Sequence, residues 1–302
     1  MEYPQVISVV NLKGGVGKTT LCVNLAYGLS YFLNKKILLI DLDPQANATQ
    51  YLMSQRKYRS LYLDGKSSKK TVVEVYNELR IGDLSQHQSL VKNCDRFLHR
   101  IYNSENGYLD ILASKLELGL IAFGSPGLSK YDEIRRFIES VGENYEFVFI
   151  DCPPTISSLL YAGLSAAQWV LVPIKPDFLS TIGLPLLDRI ITKEYPSYIN
   201  RPDWMKALSV MGLVYNMVDN RLRMTKESIS DVQKDAEHLG YNIFKSSISH
   251  STKFAWSSKR TLPIFRSEPS SRYTMEIQKL VDEFIERFQG LNNENKRQQK
   301  AL

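Results

Sequence analysis

The segment NLKGGVGKTT, residues 11–20, holds the side chains and backbone freedom needed to cradle a polyphosphate. Gly14, Gly15 and Gly17 let the chain curl so that successive N–H groups point inward at phosphate oxygens. Val16 lies between the last two glycines. Lys18 supplies a charge for β- and γ-phosphates, and Thr19 a hydroxyl suited to Mg2+. Thr20 leads into an apolar helical pattern, whose N-terminus adds a partial positive charge. The common phosphate loop asks for Gly, four residues, then Gly-Lys-Ser/Thr, yet its first position falls here on Leu12. A second lysine, Lys13, stands directly before the glycines instead. A dinucleotide loop is disfavoured, because Thr20 occupies the place of its third glycine.

Two further stretches carry carboxylates. KILLI runs into DLDPQ, which sets Asp41 and Asp43 at the end of a strand-like run, and Pro44 then turns the chain away. FVFI ends in Asp151 in the same manner. In open α/β sheets, ligands bind outside the carboxyl ends of the strands. Asp41, Asp43 and Asp151 are therefore candidate Mg2+ ligands alongside Thr19, as expected of a phosphate-loop NTPase. His87, His99, His238 and His250 are scattered and match no general-base motif, and no Ser-His-Asp or Cys-His set is visible.

Positioning these groups requires strands that end at one edge. Short apolar runs at 6–10, 37–40, 108–112, 147–150, 169–174 and 208–215 read as strands, most of them apolar on both faces. Helical patterns separate them, beginning with TTLCVNLAYGLSYFL. This alternation predicts an α/β fold, a parallel twisted sheet flanked by helices on both faces. No composition break divides residues 1–290, which read as one domain. Residues 54–106 fit the rhythm poorly and are expected to be an irregular surface excursion, with one helix over 72–80. The tail, 291–302, is expected to be disordered.

The 302 residues are 43% apolar, enough to bury about 75% of the unfolded surface. No run approaches the roughly 18 apolar residues of a membrane span. The N-terminus runs straight into a strand without a secretory leader, and Cys22, Cys94 and Cys152 lie far apart without metal spacing. Both features predict reduced thiols in a cytoplasmic protein. The formal charge is +6. Residues 201–272 hold twelve Lys/Arg against seven Asp/Glu, so most of the excess lies there.

KGGVGKTT, LLIDLDPQANAT and FVFIDCPPTISSLLYAGLSAAQWVLVPIKPD together resemble the ParA/Soj/MinD family of deviant Walker ATPases, closest to its small ParA/Soj members. The likeness covers residues 6 to about 288, apart from 54–106. It implies ATP and Mg2+, and a homodimer closed face to face over two nucleotides. It makes Lys13 the group that each subunit inserts into its partner's phosphates. A lysine on the loop's outer rim reaches its own phosphates poorly beside Lys18, whereas a facing subunit can present it there, as arginine fingers are presented. The resemblance further implies that Asp43 positions the attacking water, Asp41 supports the ion, and Asp151 binds it through water. It makes 153–157 a γ-phosphate switch, and Asn216 and Pro263 contacts near the base or the interface.

The resemblance also implies a switch rather than a metabolic enzyme. The ATP dimer holds a surface, and a ParB-like or other adaptor triggers slow hydrolysis and release, which partitions or positions cargo. Plasmid, chromosome, microcompartment and receptor array all remain open as cargo. The surface is either nonspecific double-stranded DNA, which would place the ATP form on the nucleoid, or membrane, as in the MinD branch. The helical pattern TMEIQKLVDEFIERF sets Met275, Ile277, Leu280, Val281, Phe284, Ile285 and Phe288 on one stripe, with a net acidic polar face. Anionic lipid would repel that face, so a core-packed helix and no membrane partner are expected. Arg221, Arg223, Lys245, Lys253, Lys259 and Arg260 are the candidate DNA contacts, in a region expected to lack compensating acids. No N-terminal helix-turn-helix fits before the loop, which argues against operator-specific binding. An iron-sulfur reductase of the nitrogenase type lacks its Gly-flanked cysteines here, and a bacterial tyrosine kinase its terminal Tyr cluster.

Overall fold

The computed structural model describes residues 3–64, 67–80, 96–123, 131–177, 180–195, 201–202, 205, 207–219 and 221–299. Seven strands form one sheet among them: β1 (Gln5–Val9), β2 (Lys36–Asp41), β3 (Leu98–Asn103), β4 (Tyr108–Leu112), β5 (Phe147–Asp151), β6 (Trp169–Ile174) and β7 (Ser209–Tyr215). Their order is β3-β4-β2-β5-β1-β6-β7. Every neighbouring pair is parallel except β3–β4. The six strands expected from apolar runs lie within one residue of their expected bounds.

Side chains alternate across the strands and split the core into two layers. Val6, Leu38, Ile40, Val148 and Ile150 face one layer, and Ile7, Val9, Ile37, Leu39, Phe147 and Phe149 the other. The helices are α1 (Lys18–Leu33), α2 (Asn47–Leu52), α3 (Gln55–Tyr58, passing into a π turn, Arg59–Leu63), α4 (Val72–Arg80), α5 (Leu118–Phe123), α6 (Glu133–Val141), α7 (Ser158–Ala166), α8 (Ser180–Arg189), α9 (Arg223–Leu239), α10 (Thr252–Lys259), α11 (Ile264–Ser267) and α12 (Arg272–Gln299). Helices α4, α6 and α7 cover the first layer, and α1 with α12 the second.

Three expectations are corrected here. Residues 54–106 are not a surface excursion throughout. Thr71 and Glu74 cap α4, the Thr71 N–H and hydroxyl each donating to Glu74 at 2.7 Å while Thr71 Oγ1 accepts the Val73 N–H at 3.3 Å. The helix so started buries Val72, Val75, Tyr76 and Leu79, and Phe97 packs at 5.7 Å from Phe137. The same stretch supplies β3, whose apolar content is too low to read as a strand. Arg100 on β3 faces Asp110 on β4 across the antiparallel register and binds it at 2.5 Å, while the Tyr145 hydroxyl donates to the same carboxylate at 2.7 Å.

The final helix is core-packed, as its acidic polar face led one to expect. Ile277, Leu280, Val281 and Phe284 are buried, and Phe284 meets Phe147 and Phe149. Met275 departs from that stripe and is 57% exposed, because it lies in the helix's first turn, ahead of the segment that packs on the sheet. The helix continues to Gln299, into the tail expected to be disordered.

Both sheet edges carry a modification. The bonding between β3 and β4 shifts register between Arg100 and Tyr102, and Lys69 Nζ donates to Leu98 O at 2.7 Å. Along β7, residues 242–248 lie close enough to hydrogen-bond: Leu213 N donates to Asn242 O, Phe244 N to Leu213 O, and Ile248 N to Tyr215 O. Gly212 permits the approach, since a Cβ there would come within 2.8 Å of the Phe244 ring.

Candidate active site

The carboxyl ends of β1, β2 and β5 meet at one edge, where Val9 pairs with Asp151 and Asp41 with Asp151 in register. The loop after β1 is anchored before it curls. Asn11 Nδ2 donates to Pro173 O of β6 at 2.8 Å, and Asn11 Oδ1 accepts the Lys13 N–H at 2.8 Å. Gly15 and Gly17 then take left-handed backbone (φ 74° and 79°). Gly17 has a second reason to be glycine, because a Cβ there would fall 2.4 Å from Asn216 Nδ2. Asn216 is itself buried and donates to Val16 O at 2.9 Å and Gly17 O at 3.1 Å. The structure thus uses its amide to pin the loop backbone.

Lys18 is 7% exposed and sits inside the loop, its Nζ donating to Lys13 O at 3.0 Å. Burial pulls its pKa below the ordinary lysine range, with Asp151 and Asp43 opposing. Thr19 Oγ1 donates to Asp151 Oδ2 at 2.7 Å. The other oxygen, Asp151 Oδ1, is buried without a hydrogen-bond partner, and burial pushes this carboxyl well above its usual range. An orphaned, buried anionic acceptor beside a threonine hydroxyl fits a hydrated cation. Among the described residues no three His, Cys, Asp or Glu side chains form a metal cage. Thr19 and Asp151 would suit Mg2+, which keeps several waters and binds through few protein groups plus phosphates.

Asp41 and Asp43 play different parts. Asp41 is fully buried, and one oxygen accepts both the Thr49 N–H (2.8 Å) and hydroxyl (2.7 Å), while the other accepts the Asp43 N–H at 3.2 Å. Burial raises its pKa to about 7, against the Thr49 bonds. The carboxylate therefore shapes the β2–α2 turn, beside the strand end that carries Asp151. Ser114, beyond β4, completes this clamp by donating its N–H to Thr49 Oγ1 (2.9 Å) and its hydroxyl to Asp43 O (2.8 Å). Asp43 is 8% exposed at the mouth of the site, with Oδ1 accepting the Gln45 N–H at 2.9 Å. Beyond β5, Thr155 and Ile156 of segment 153–157 are exposed before Ser157 caps α7.

Lys13 lies on the rim. Its Nζ is held by both oxygens of Asp177, each at 2.5 Å, and does not enter its own loop. Pro263 is buried, and the next N–H, of Ile264, donates to Asn24 of α1 at 2.8 Å, which fastens this segment behind the loop's helix.

Comparisons with known proteins agree with this geometry. A family model described as an AAA domain matches residues 4–201. The chain belongs to the ParA/Soj family of P-loop ATPases. It is 27% identical to the sporulation initiation inhibitor protein Soj of Bacillus subtilis, over 89% of this chain and 93% of that protein. It is likewise 27% identical to the chromosome partitioning protein ParA of Caulobacter vibrioides, over 94% of each. A putative plasmid partition protein of Borrelia burgdorferi bound to AMPPNP has the same fold (TM-score 0.68, 20% identity, 94% of this chain and 99% of that one).

The candidate DNA contacts fall less tidily than the sequence suggests. The Arg221 side chain is 85% exposed but binds Asp219 at 2.8 and 2.6 Å. Lys253 and Arg260 share Glu268, at 2.9 and 3.6 Å. The region thus has compensating acids, which adjoin its cations in space though not always in sequence. Lys245 lines a separate groove of about 540 Å3 with Glu276, Asp282, Glu283 and Glu286, so it stands in acidic surroundings. Lys259 lies over the Trp256 ring. The Arg223 side chain falls outside the described residues.

Asn11, Thr49, Ser114 and Asp177 escaped the sequence reading. Asp177 had a usable signal, an acid just past the end of β6 at the same edge as Asp43 and Asp151. Thr49 and Ser114 had none, since nothing in either segment alone marks a partner.

Proposed function

We propose that ATP with Mg2+ closes two copies of this chain face to face, and that the dimer holds nonspecific double-stranded DNA until an adaptor stimulates hydrolysis. The relatives named for partition, Soj and ParA, support the class of task, and a cell division protein, PomZ of Myxococcus xanthus, extends it to positioning. The observation that carries the dimer is the separation of the two lysines. Lys18 occupies the loop interior, whereas Lys13 is held outside it by Asp177. An ammonium facing away from its own phosphates is placed for a facing subunit.

In this reading the loop N–H groups and Lys18 bind and orient the phosphates, and Thr19 with Asp151 holds the hydrated ion. When bound, Mg2+ neutralises charge on the β- and γ-oxygens. Asp43 positions the attacking water, and the partner's copy of Lys13 offsets charge developing at the bond that breaks. Hydrolysis is slow alone because each site lacks that trans charge until the dimer forms. The protein acts in the cytoplasm, on the nucleoid in its ATP form. That the apolar stripe of α12 is occupied by the core supports this reading over the MinD-type alternative. Light scattering on Asp43→Ala at saturating ATP tests the switch. A trapped dimer is expected, and a monomer would sink it.

A further inference from the structure

Trp256 is unlike the other indole whose side chain is described. Trp169 is 5% exposed, within the sheet, whereas Trp256 is 56% exposed on α10. The helix itself is firmly seated: Phe254 and Ser257 are buried, and Ser257 shares a 2.6 Å hydrogen bond with Tyr51 of α2. On its outer side, Lys253, Trp256 and Arg260 follow at helical spacing. Lys259 Nζ lies 5.1 Å from the centroid of the Trp256 ring. Lys253 and Arg260, three residues before and four after Trp256, share one acid, Glu268, so the stretch carries three cations against one anion. A large apolar ring kept in water by a rigid helix has no role in this fold. A ring bordered by cations matches a polymer that offers phosphates and flat π-faces together.

We propose that Trp256 is a base-stacking contact of the DNA-binding face, with Lys253, Lys259 and Arg260 on the adjoining phosphates. The inference rests on the DNA reading above and refines it. Phosphate contacts alone treat all DNA alike. A stacking ring adds roughly 1–3 kcal/mol per base, independent of which base it meets, but needs a base whose face is accessible. The surface is therefore tuned toward DNA that is unpaired or easily opened.

The test uses the full chain with ATP and Mg2+, probed with oligothymidylate, intact duplex DNA and heparin. Trp256→Ala should lose about fivefold or more in affinity for oligothymidylate, the low end of one stacked base. Its affinity for heparin, a polyanion without bases, should stay unchanged. Trp256→Phe should recover most of the loss. In a Trp204→Phe background, oligothymidylate should quench the exposed indole, and the quench should vanish on adding Trp256→Phe. Equal losses on oligothymidylate and heparin would overturn the inference by making the ring a mere support for the cations. So would unchanged oligothymidylate binding, or a loss of ATP-driven dimerisation in Trp256→Ala, which would make the ring a subunit contact. Duplex binding that survives with a silent Trp256 rejects this inference alone. No binding to any DNA by the unaltered chain rejects the DNA reading with it.

Discussion

Lys18 and Lys13 are five positions apart, and the structure gives them opposite surroundings, one inside the loop and one on Asp177 outside it. Their substitutions should separate accordingly. Lys18→Ala should abolish ATP binding in a titration with a fluorescent analogue. Lys13→Ala should bind normally yet lose on the order of 10³-fold in phosphate release, the lower range for a trans-acting cation. Similar ATP affinities for both variants would refute the division of labour. The chemistry-bearing residues were legible in sequence because local pattern marks each: Lys18 opens the helix after the glycine loop, Asp43 follows the end of β2, and Asp151 ends β5. The Asp41–Thr49–Ser114 clamp was not, because it joins three segments whose partners have no fixed spacing. Thr49→Val should leave that buried carboxylate short of a donor and cost about 1–3 kcal/mol in thermal unfolding. A Tm equal to that of the unaltered protein would show the clamp to be dispensable.

Among the elements, the buried parallel strands announced themselves as apolar runs, while β3 and α4 did not join the pattern so easily. β3 is an edge strand, half-exposed and charged at Arg100, so its sequence lacks the double-sided apolarity of its neighbours. α4 was visible as a helix, but its burial depends on α6 packing across it. Phe97, beside that contact, discriminates between core and periphery. Phe97→Ala should cost about 3–5 kcal/mol in urea unfolding if this layer is core. A surface residue would cost less than about 0.5 kcal/mol. The Gly17 turn makes a second test of an element. Gly17→Ala must accept both left-handed backbone and a clash with Asn216, so it should displace the loop and weaken ATP binding without unfolding the sheet. Unimpaired ATP binding by Gly17→Ala would show that the turn tolerates a side chain.

At the scale of the molecule, the charge argument becomes quantitative. With about three phosphate contacts per subunit, a dimer neutralises about six, and log affinity should fall with log salt at a slope of about −5. Arg221→Glu with Arg223→Glu should weaken binding to every duplex sequence alike and flatten the slope, with ATP-driven dimerisation retained. Because Arg221 is already paired with Asp219, part of its contribution goes to leaving that carboxylate. Sequence-dependent losses in a salt titration across several duplexes would contradict a phosphate-only role for the pair.

The two closed edges of the sheet bear on how such a protein can assemble. A parallel sheet with bare edges can recruit another chain by strand addition and grow into a fibre. Here one rim is kinked at Arg100–Tyr102 and capped by Lys69, and the other is overlaid by residues 242–248. Both rims are thereby poorer templates for strand addition between copies of this chain. In the proposed cycle, assembly on DNA would then proceed through whole folded units rather than through backbone pairing, which would not reverse. Gly212 keeps that cover in place: a bulkier side chain would push Phe244 away from β7 and expose the rim to strand addition.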